Sequence, residues 1–297
     1  MSIKLSDRYP GRFNNPTAGY PQGSFKNRTS PVAKDGSYLE KDWANDKEGF
    51  FQSLLSSAGI VANGSVDQVG ASQYFDALKK VIGSVTAHKI EVFSTPGVYV
   101  WPVPILMQLG IIKPTVYVTA GGGGTGGVPN VSASNIAISG AGGAGGTAKK
   151  VVDLTGVTSV TITVGAGGVA GAVGISTGGP GGASSFGAYC SANGGSPSTG
   201  VVAGGASNQS SAGGQGGTAT GGDLNLKGGD GTSVIGIGGE LAPVANGVGG
   251  TSFWGGGPKQ AFFGDVPGVG GGPRALAAGS GQQPGLVGGP GMVVVEC

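Results

Sequence analysis

Apolar side chains recur every three or four residues in one stretch of this chain and every second residue in another. Phe50, Phe51, Leu54, Leu55 and Ala58 share one face of a helix predicted over 39–58, with Gly59 as its stop. Ser65-Val-Asp-Gln68 reads as a capping box, in which hydroxyl and amide satisfy free backbone N–H groups. Beyond it Ala71, Tyr74, Phe75, Leu78, Val81, Ile82 and Val85 form a seam of about four helical turns. Two amphipathic helices of this size do not bury their stripes alone, so self-association or docking on a neighbour is expected. Residues 1–36 are rich in Pro, Gly and Asn, with Tyr9, Phe13, Tyr20 and Phe25 scattered among them. They read as an extended arm that docks elsewhere, or as a loose tail. From residue 90 the spacing shortens. Strands are expected at 90–93, 98–101, 115–119, 136–139, 151–154, 159–164 and 292–295, with Ser94-Thr-Pro-Gly97 as a turn between the first two.

Glycine changes the picture of the second part. Residues 1–114 hold 11 of the 67 glycines, and residues 115–297 hold the other 56. Tracts lie at 121–127, 140–146, 165–171, 178–182, 213–217, 228–231, 255–257, 268–272 and 285–291. Collagen is excluded, because the run Gly121-Gly-Gly-Gly124 breaks the G-X-Y frame. Disorder is disfavoured, because the tracts carry almost no charge and alternate with β-branched runs. Ordered glycine needs compensating contacts for its large entropy loss. A left-handed helix of three residues per turn, as in polyproline II, supplies them: its amides point outward to neighbouring helices. Without Cβ atoms such helices approach closely enough for Cα–H···O contacts. The expected product is a flat, rigid slab with loops at both ends.

Charge excludes more than it suggests. Residues 1–114 carry 12 Lys+Arg against 9 Asp+Glu, and the remainder 5 against 6, giving the overall +2. That balance leaves no footprint for nucleic acid and no polybasic membrane patch. The first 30 residues lack an apolar core after Lys4, so no signal peptide is expected. The most apolar stretch, 98–112, is interrupted by Pro102, Pro104, Gln108 and Gly110 before it reaches a membrane span. Cys190 and Cys297 make neither a disulfide framework nor a zinc site, and no metal or cofactor is expected. Cys190 reads as a small buried hydrophobe and Cys297 as exposed, with a disulfide between protomers open only outside a reducing cytosol. His88, the lone histidine, reads as a solvated surface residue just past the second helix.

Catalytic motifs are absent from the sequence. Gly140-Ala-Gly-Gly-Ala-Gly145 matches the dinucleotide fingerprint, but a glycine-rich region produces such matches by chance and the flanking βαβ pattern is missing. No P-loop or EF-hand occurs. Glycan cleavage needs two carboxylates around the bond. After residue 114 the chain offers Asp153, Asp223, Asp230, Glu240, Asp265 and Glu296. Asp223 and Asp230 bracket a short turn, where they either face one another or bond their own backbone. Binding is the better reading, and no catalytic residue is assigned. Aromatics are sparse in the glycine-rich part, and four of the seven, Phe253, Trp254, Phe262 and Phe263, lie close together beside Lys259 and Asp265. Aromatic faces on a rigid scaffold supply contact area at low entropic cost. Trp254, Lys259, Phe262, Phe263 and Asp265 are therefore the candidate receptor contacts, with Tyr189 and Arg274 as further ones. Phe253 is expected to seal the slab.

Six segments in order resemble a known family. Phe93-Ser-Thr-Pro-Gly-Val-Tyr-Val-Trp-Pro-Val-Pro104 is similar to the opening strand pair of the glycine-rich C-terminal domain of phage tail fibre proteins. Val116-Tyr-Val-Thr-Ala-Gly-Gly-Gly-Gly124 resembles its next strand and first tract. Lys149 to Leu154, followed by Val160-Thr-Ile-Thr-Val-Gly-Ala-Gly-Gly168, is the most diagnostic part. Gly181-Gly-Ala-Ser-Ser-Phe-Gly187, the segment from Gly221 to Gly231, and Gly288-Gly-Pro-Gly-Met-Val-Val-Val-Glu296 continue the order. The more apolar 105–112 and the final Cys297, where the family usually has an aromatic, depart from it. The resemblance implies a virion tail fibre, made in the host cytoplasm and assembled as a homotrimer. Residues 1–89 would attach it to a tail or baseplate protein. Residues 90–297 would form a mainly β and irregular tip of strands and polyglycine-II helices, intertwined or associated as a trimer, that binds a host glycan, pilus or outer-membrane protein. The alternatives are a polysaccharide depolymerase and a purely structural glycine-rich spacer.

Overall fold

The computed structural model describes residues 4–18, 20, 21, 23–38, 41–86, 89–204, 207–237 and 247–297. Leu39, His88 and Glu240 lie outside the described residues, as does the side chain of Val85. The chain divides into two compact units, Met1–Ala87 and His88–Cys297.

The first unit contains a one-turn helix α1 (Leu5–Arg8), the short strand pair β1 (Phe13–Asn14) and β2 (Ser24–Phe25), and helices α2 (Lys41–Ser57) and α3 (Gln73–Thr86). Its early segment folds back rather than reaching outward. Rings of Tyr9, Phe13, Phe25 and Trp43 follow one another at centroid separations of 5.7, 5.2 and 5.3 Å, so the arm packs on the first turn of α2. Helix α2 ends as its sequence requires. Gly59 takes a left-handed φ of 61°, its N–H bonds Ser56 O, and the Ile60 N–H bonds Leu55 O. Helix α3 starts later than the capping box suggests. Gly64 and Gly70 both take positive φ, which keeps Ser65-Val-Asp-Gln68 out of the helix. The cap is Ser72 instead: its Oγ accepts the Phe75 N–H at 3.1 Å, while Asp67 accepts from Gln73 N, Tyr74 N and Ser72 Oγ. Leu55, Ala58 and Ala77 are buried between the helices, but Phe50, Phe75, Leu78 and Ile82 stay exposed.

The second unit is mainly β. Its elements are β3 (Ile90–Phe93), β4 (Gly97–Pro102), α4 (Ile105–Gln108), β5 (Thr115–Thr119), β6 (Asn135–Ser139), β7 (Thr147–Val151), β8 (Ser159–Val164), β9 (Ser184–Phe186), β10 (Cys190–Ala192), β11 (Gly200–Gly204), β12 (Gln209–Ser211), β13 (Ala219–Thr220), β14 (Leu224–Leu226), β15 (Val234–Gly236), β16 (Arg274–Leu276) and β17 (Met292–Glu296). At one end two antiparallel sheets, ordered β14-β7-β5-β17-β3 and β13-β10-β9-β8-β4, face each other. Alternation fixes which side of each strand is inside: Val160, Ile162 and Val164 of β8 and Val116 and Val118 of β5 are buried with Trp101, Phe186 and Val293. Two strand expectations change. β3 and β4 do not pair across their turn; they separate into opposite sheets. The strand expected at 151–154 is instead β7, which ends at Val151, because Asp153 accepts from Thr155 N and Oγ1 and turns the chain.

From this sandwich the strands run on into ten tracts among the described residues, numbered 1 to 10: 120–128, 140–146, 165–174, 176–182, 193–199, 212–218, 227–233, 247–251, 268–272 and 283–291. Within a tract, bonding partners repeat every third residue. The N–H groups of Gly121 and Gly124 bond tract 4 at Gly182 and Gly179; those of Gly122 and Thr125 bond tract 10 at Gly289 and Leu286; those of Ala120 and Gly123 bond tract 2 at Gly146 and Gly143. Tract 1 also accepts from tracts 3, 5 and 9, through Gly168, Gly195 and Gly271. Tract 2 is likewise bonded to tracts 1, 5, 6, 7, 8 and 9. Adjacent members of both rings bond each other, so the tracts stack in three layers, 4-5-6 over 3-1-2-7 over 10-9-8.

Close packing explains the composition. A Cβ at Gly142 would lie 2.7 Å from the carbonyl carbon of Gly123 and closer still to its oxygen. Inside, the few positions with a Cβ are mostly small, such as Ala141 and Ala144 of tract 2; at outward positions of the outer tracts a side chain appears at every third residue. Thr177 and Pro180 are exposed on tract 4, as is Ala183 just past its end, and Asn193, Ser196 and Thr199 on tract 5. Ala212, Gln215 and Thr218 follow on tract 6, and Pro284 and Val287 on tract 10. Tracts 1 and 2 are buried throughout. At the end opposite the sandwich, β11-β6-β16 and the pair β12-β15 close the slab.

Candidate functional site

Residues 252–267 leave the lattice between tracts 8 and 9 and fold back over the third layer. The excursion is pinned at three places. At its start Trp254 Nε1 donates to Thr119 Oγ1 at 2.8 Å, and that hydroxyl meets Thr147 Oγ1 at 2.9 Å. Tyr117, Phe253 and Trp254 form one ring cluster there, with Phe253 stacked on Tyr117 at 5.9 Å. Midway, the Gly249 N–H bonds Pro258 O at 2.8 Å, so 255–257, expected as a slab tract, runs along tract 8 on the outside. On the return the Gly264 N–H bonds Val287 O of tract 10 at 2.9 Å.

The tip of the excursion is a tight turn. Phe262 N bonds Lys259 O, Ala261 N bonds Pro273 O, and Gly272 N bonds Phe262 O. Ala261 takes φ 66°, the one positive φ at a non-glycine position among the described residues. The left-handed region costs a residue with a Cβ about 1–2 kcal/mol. A chain with 67 glycines thus holds alanine in a strained turn at this point. Such strain persists where surrounding contacts over-determine it, and it concentrates at functional sites.

Beside this turn Gly257, Pro258, Lys259, Phe262, Phe263 and Asp265 line a shallow pocket of about 310 Å3. Phe262 and Phe263 are 64% and 59% exposed, so their rings cover no core. Lys259 and Asp265 are exposed, and among the described residues neither makes an ion pair. Four residues singled out from the sequence, Lys259, Phe262, Phe263 and Asp265, therefore meet in one surface pocket on a hydrogen-bonded floor.

The other three lie elsewhere. Trp254 is half-buried and engaged with Thr119 at the sandwich end of the slab. Tyr189 packs its ring 6.0 Å from Phe186 at the rim of the sandwich core. Arg274 sits on β16, opposite Ser139 of β6. Its Nε is buried without a hydrogen-bond partner among the described residues, and burial pulls its guanidinium below its ordinary pKa. Phe253 seals Tyr117 on one side only, remaining 48% exposed.

Carboxylates elsewhere in the unit are engaged. Asp153 pairs with Lys113 at 2.8 Å and accepts from Thr155, which together hold its pKa well below the ordinary value. Asp223 accepts from Val151 N, and Asp230 accepts from Gly216 N and Lys227 Nζ. Asp223 and Asp230 thus bond neighbouring segments, in place of the shared turn expected of them. Among the described residues no group of three or more His, Cys, Asp or Glu is placed to hold a metal ion, and no helix is long and apolar enough to cross a membrane.

Neither the protein-family models nor the curated proteins contain a match to this chain. Sequence reasoning missed the glycine–proline floor and the strained Ala261. The floor had no distinctive signal: Gly-Gly-Pro also occurs at Pro180 and Pro290 inside tracts 4 and 10.

Proposed function

We propose that this chain is a phage tail fibre or receptor-binding protein that recognises the bacterial surface by binding, without turnover. The ten tracts are then polyglycine-II helices; the threefold repeat of their bonding partners and of their exposed positions supports that assignment. Residues 1–89 attach the protein to the tail and bring three copies together. The exposed Phe75, Leu78 and Ile82, at the 3-4 spacing of a coiled-coil seam, support self-association through α3. Because tracts 1 and 2 are fully ringed by tracts of their own chain, three tips would associate through their faces rather than intertwine.

The observation that carries the reading is the convergence of two exposed phenylalanines, a lysine and an aspartate in one pocket on a rigid slab. Preorganised exposed aromatics contribute affinity without an ordering cost. The engagement of Asp153, Asp223 and Asp230 supports binding over hydrolysis.

The test is binding of the fluorescently labelled full chain to a panel of bacterial strains, with the Phe262→Ala/Phe263→Ala variant alongside. Strain-selective binding that the variant loses is the expected result. Binding to no strain by folded protein leaves the structural-spacer reading in its place.

A further inference from the structure

The chemistry of the pocket narrows what it takes, granted the receptor-binding reading above. Its two charged groups have opposite signs, and among the described residues neither is neutralised by an ion pair. An anionic ligand is drawn to Lys259 and repelled by Asp265, and a cationic ligand meets the reverse. A purely apolar ligand covers the phenylalanines but strips water from both charges without replacing the lost hydrogen bonds. A neutral ring bearing hydroxyls avoids all three penalties. Each hydroxyl both donates and accepts, so one serves Asp265 as donor while another serves Lys259 as acceptor. The C–H face of a pyranose is apolar and flat enough to lie on an exposed phenylalanine. A cavity of about 310 Å3 has room for one or two such rings.

We infer that the pocket lined by Lys259, Phe262, Phe263 and Asp265 is a carbohydrate subsite for a neutral pyranose of a surface glycan, stacked on phenylalanine and bridged between Asp265 and Lys259. The strained Ala261, bonded through its N–H to Pro273 O, fixes the turn between Lys259 and the two rings. The subsite is thereby held in its binding geometry before any ligand arrives.

Two measurements on the full chain separate this inference from the reading beneath it. The first is saturation-transfer NMR with methyl glucoside, galactoside, mannoside and N-acetylglucosaminide. Transfer to ring C–H protons of at least one is expected. It should be abolished in Phe262→Ala/Phe263→Ala and weakened about tenfold in Asp265→Asn, the scale of one charge-assisted hydrogen bond. Lys113→Ala, which removes only the surface pair with Asp153, should leave it unchanged. No transfer from any of the four, or transfer that survives the double variant, overturns the subsite. The second is cell binding after periodate oxidation or protease treatment of the bacteria. Loss with periodate alone supports a glycan. Loss with protease alone overturns the glycan while keeping the receptor-binding reading. Absence of binding to untreated cells overturns that reading and leaves the NMR result to decide the pocket.

Discussion

Alanine at Gly142 tests the close packing of the slab. Gly142 lies in tract 2, ringed by six neighbours, and its own N–H bonds Gly271 O at 2.9 Å. The new Cβ would sit 2.7 Å from the carbonyl carbon of Gly123. Carbons rest about 3.5–4.0 Å apart, so tract 1 must retreat by roughly an ångström. Two bonds join tracts 1 and 2 there, Ala120 N to Gly146 O at 3.1 Å and Gly123 N to Gly143 O at 2.8 Å. Lengthened by that much, neither remains a hydrogen bond. Each loss removes about 0.5–1.5 kcal/mol and strands buried polar groups at a further 1–3 kcal/mol. Alanine returns about 0.5–1 kcal/mol by stiffening the unfolded chain. The net cost is at least about 2 kcal/mol, a large part of a typical domain's 5–15 kcal/mol. For a unit of this length that lowers the melting temperature by at least roughly 4–8 °C. The control is Gly256→Ala, where a Cβ meets nothing within 4 Å; it should stay within about 1 kcal/mol of the parent. Thermal and urea unfolding followed by circular dichroism reads both. Equal stabilities for the two variants would refute the packing argument.

Three further outcomes follow from particular residues. Ala261→Gly relieves the left-handed strain at the pocket turn and should raise stability by up to about 1 kcal/mol, seen as a rise of a few degrees in the melting temperature. No rise would mean that the turn is unstrained. Burial alone would raise the Glu91 pKa, but hydrogen bonds from Lys89 and Trp101 and the charge of Lys89 outweigh it and hold the carboxyl below its ordinary value. A depressed folded pKa means stability that is present above the unfolded value and lost as pH falls through the folded one. Acid should therefore weaken the β3–β4 end of the sandwich in the parent, and Glu91→Gln should flatten that part of the pH–stability curve. Burial pushes the Cys190 thiol up to about 11, so iodoacetamide at pH 8 should leave Cys190 unmodified in the folded protein and label it after denaturation.

Much of this architecture was legible residue by residue. The runs at 115–119 and 159–164 are strands because β-branched residues alternate there, and each lies where a sheet needs one buried face; β3 at 90–93 is a strand as expected, though its Ile90 and Val92 stay exposed. Charge-flanked aromatics in a region otherwise made of glycine pointed to the pocket. Illegible was anything set by contacts distant in sequence. Tract 5, Asn193-Gly-Gly-Ser-Pro-Ser-Thr199, holds only two glycines; it belongs to the slab because its buried residues, Gly195 and Ser198, are small and Asn193, Ser196 and Thr199 fall on the exposed third position. That same X-Gly-Gly spacing, in Thr177-Gly-Gly-Pro180-Gly-Gly-Ala183 and Ala212-Gly-Gly-Gln215-Gly-Gly-Thr218, was the usable signal, and it marks which face of a tract is outside. Trp254 reads like a binding residue for the right reason, an exposed-looking aromatic among glycines. Its partner Thr119 lies 135 residues earlier, and no local pattern announces that bond.

The slab holds the pocket turn in place as one hydrogen-bonded body. Native-state amide hydrogen exchange measures this directly. The N–H groups of Gly122 and Gly142 are bonded inside closed rings, so they should exchange only by global unfolding, with the slowest rates in the chain. Exchange at Gly122 and Gly142 as fast as in an unstructured peptide would contradict the slab, and with it the rigid presentation of Phe262 and Phe263.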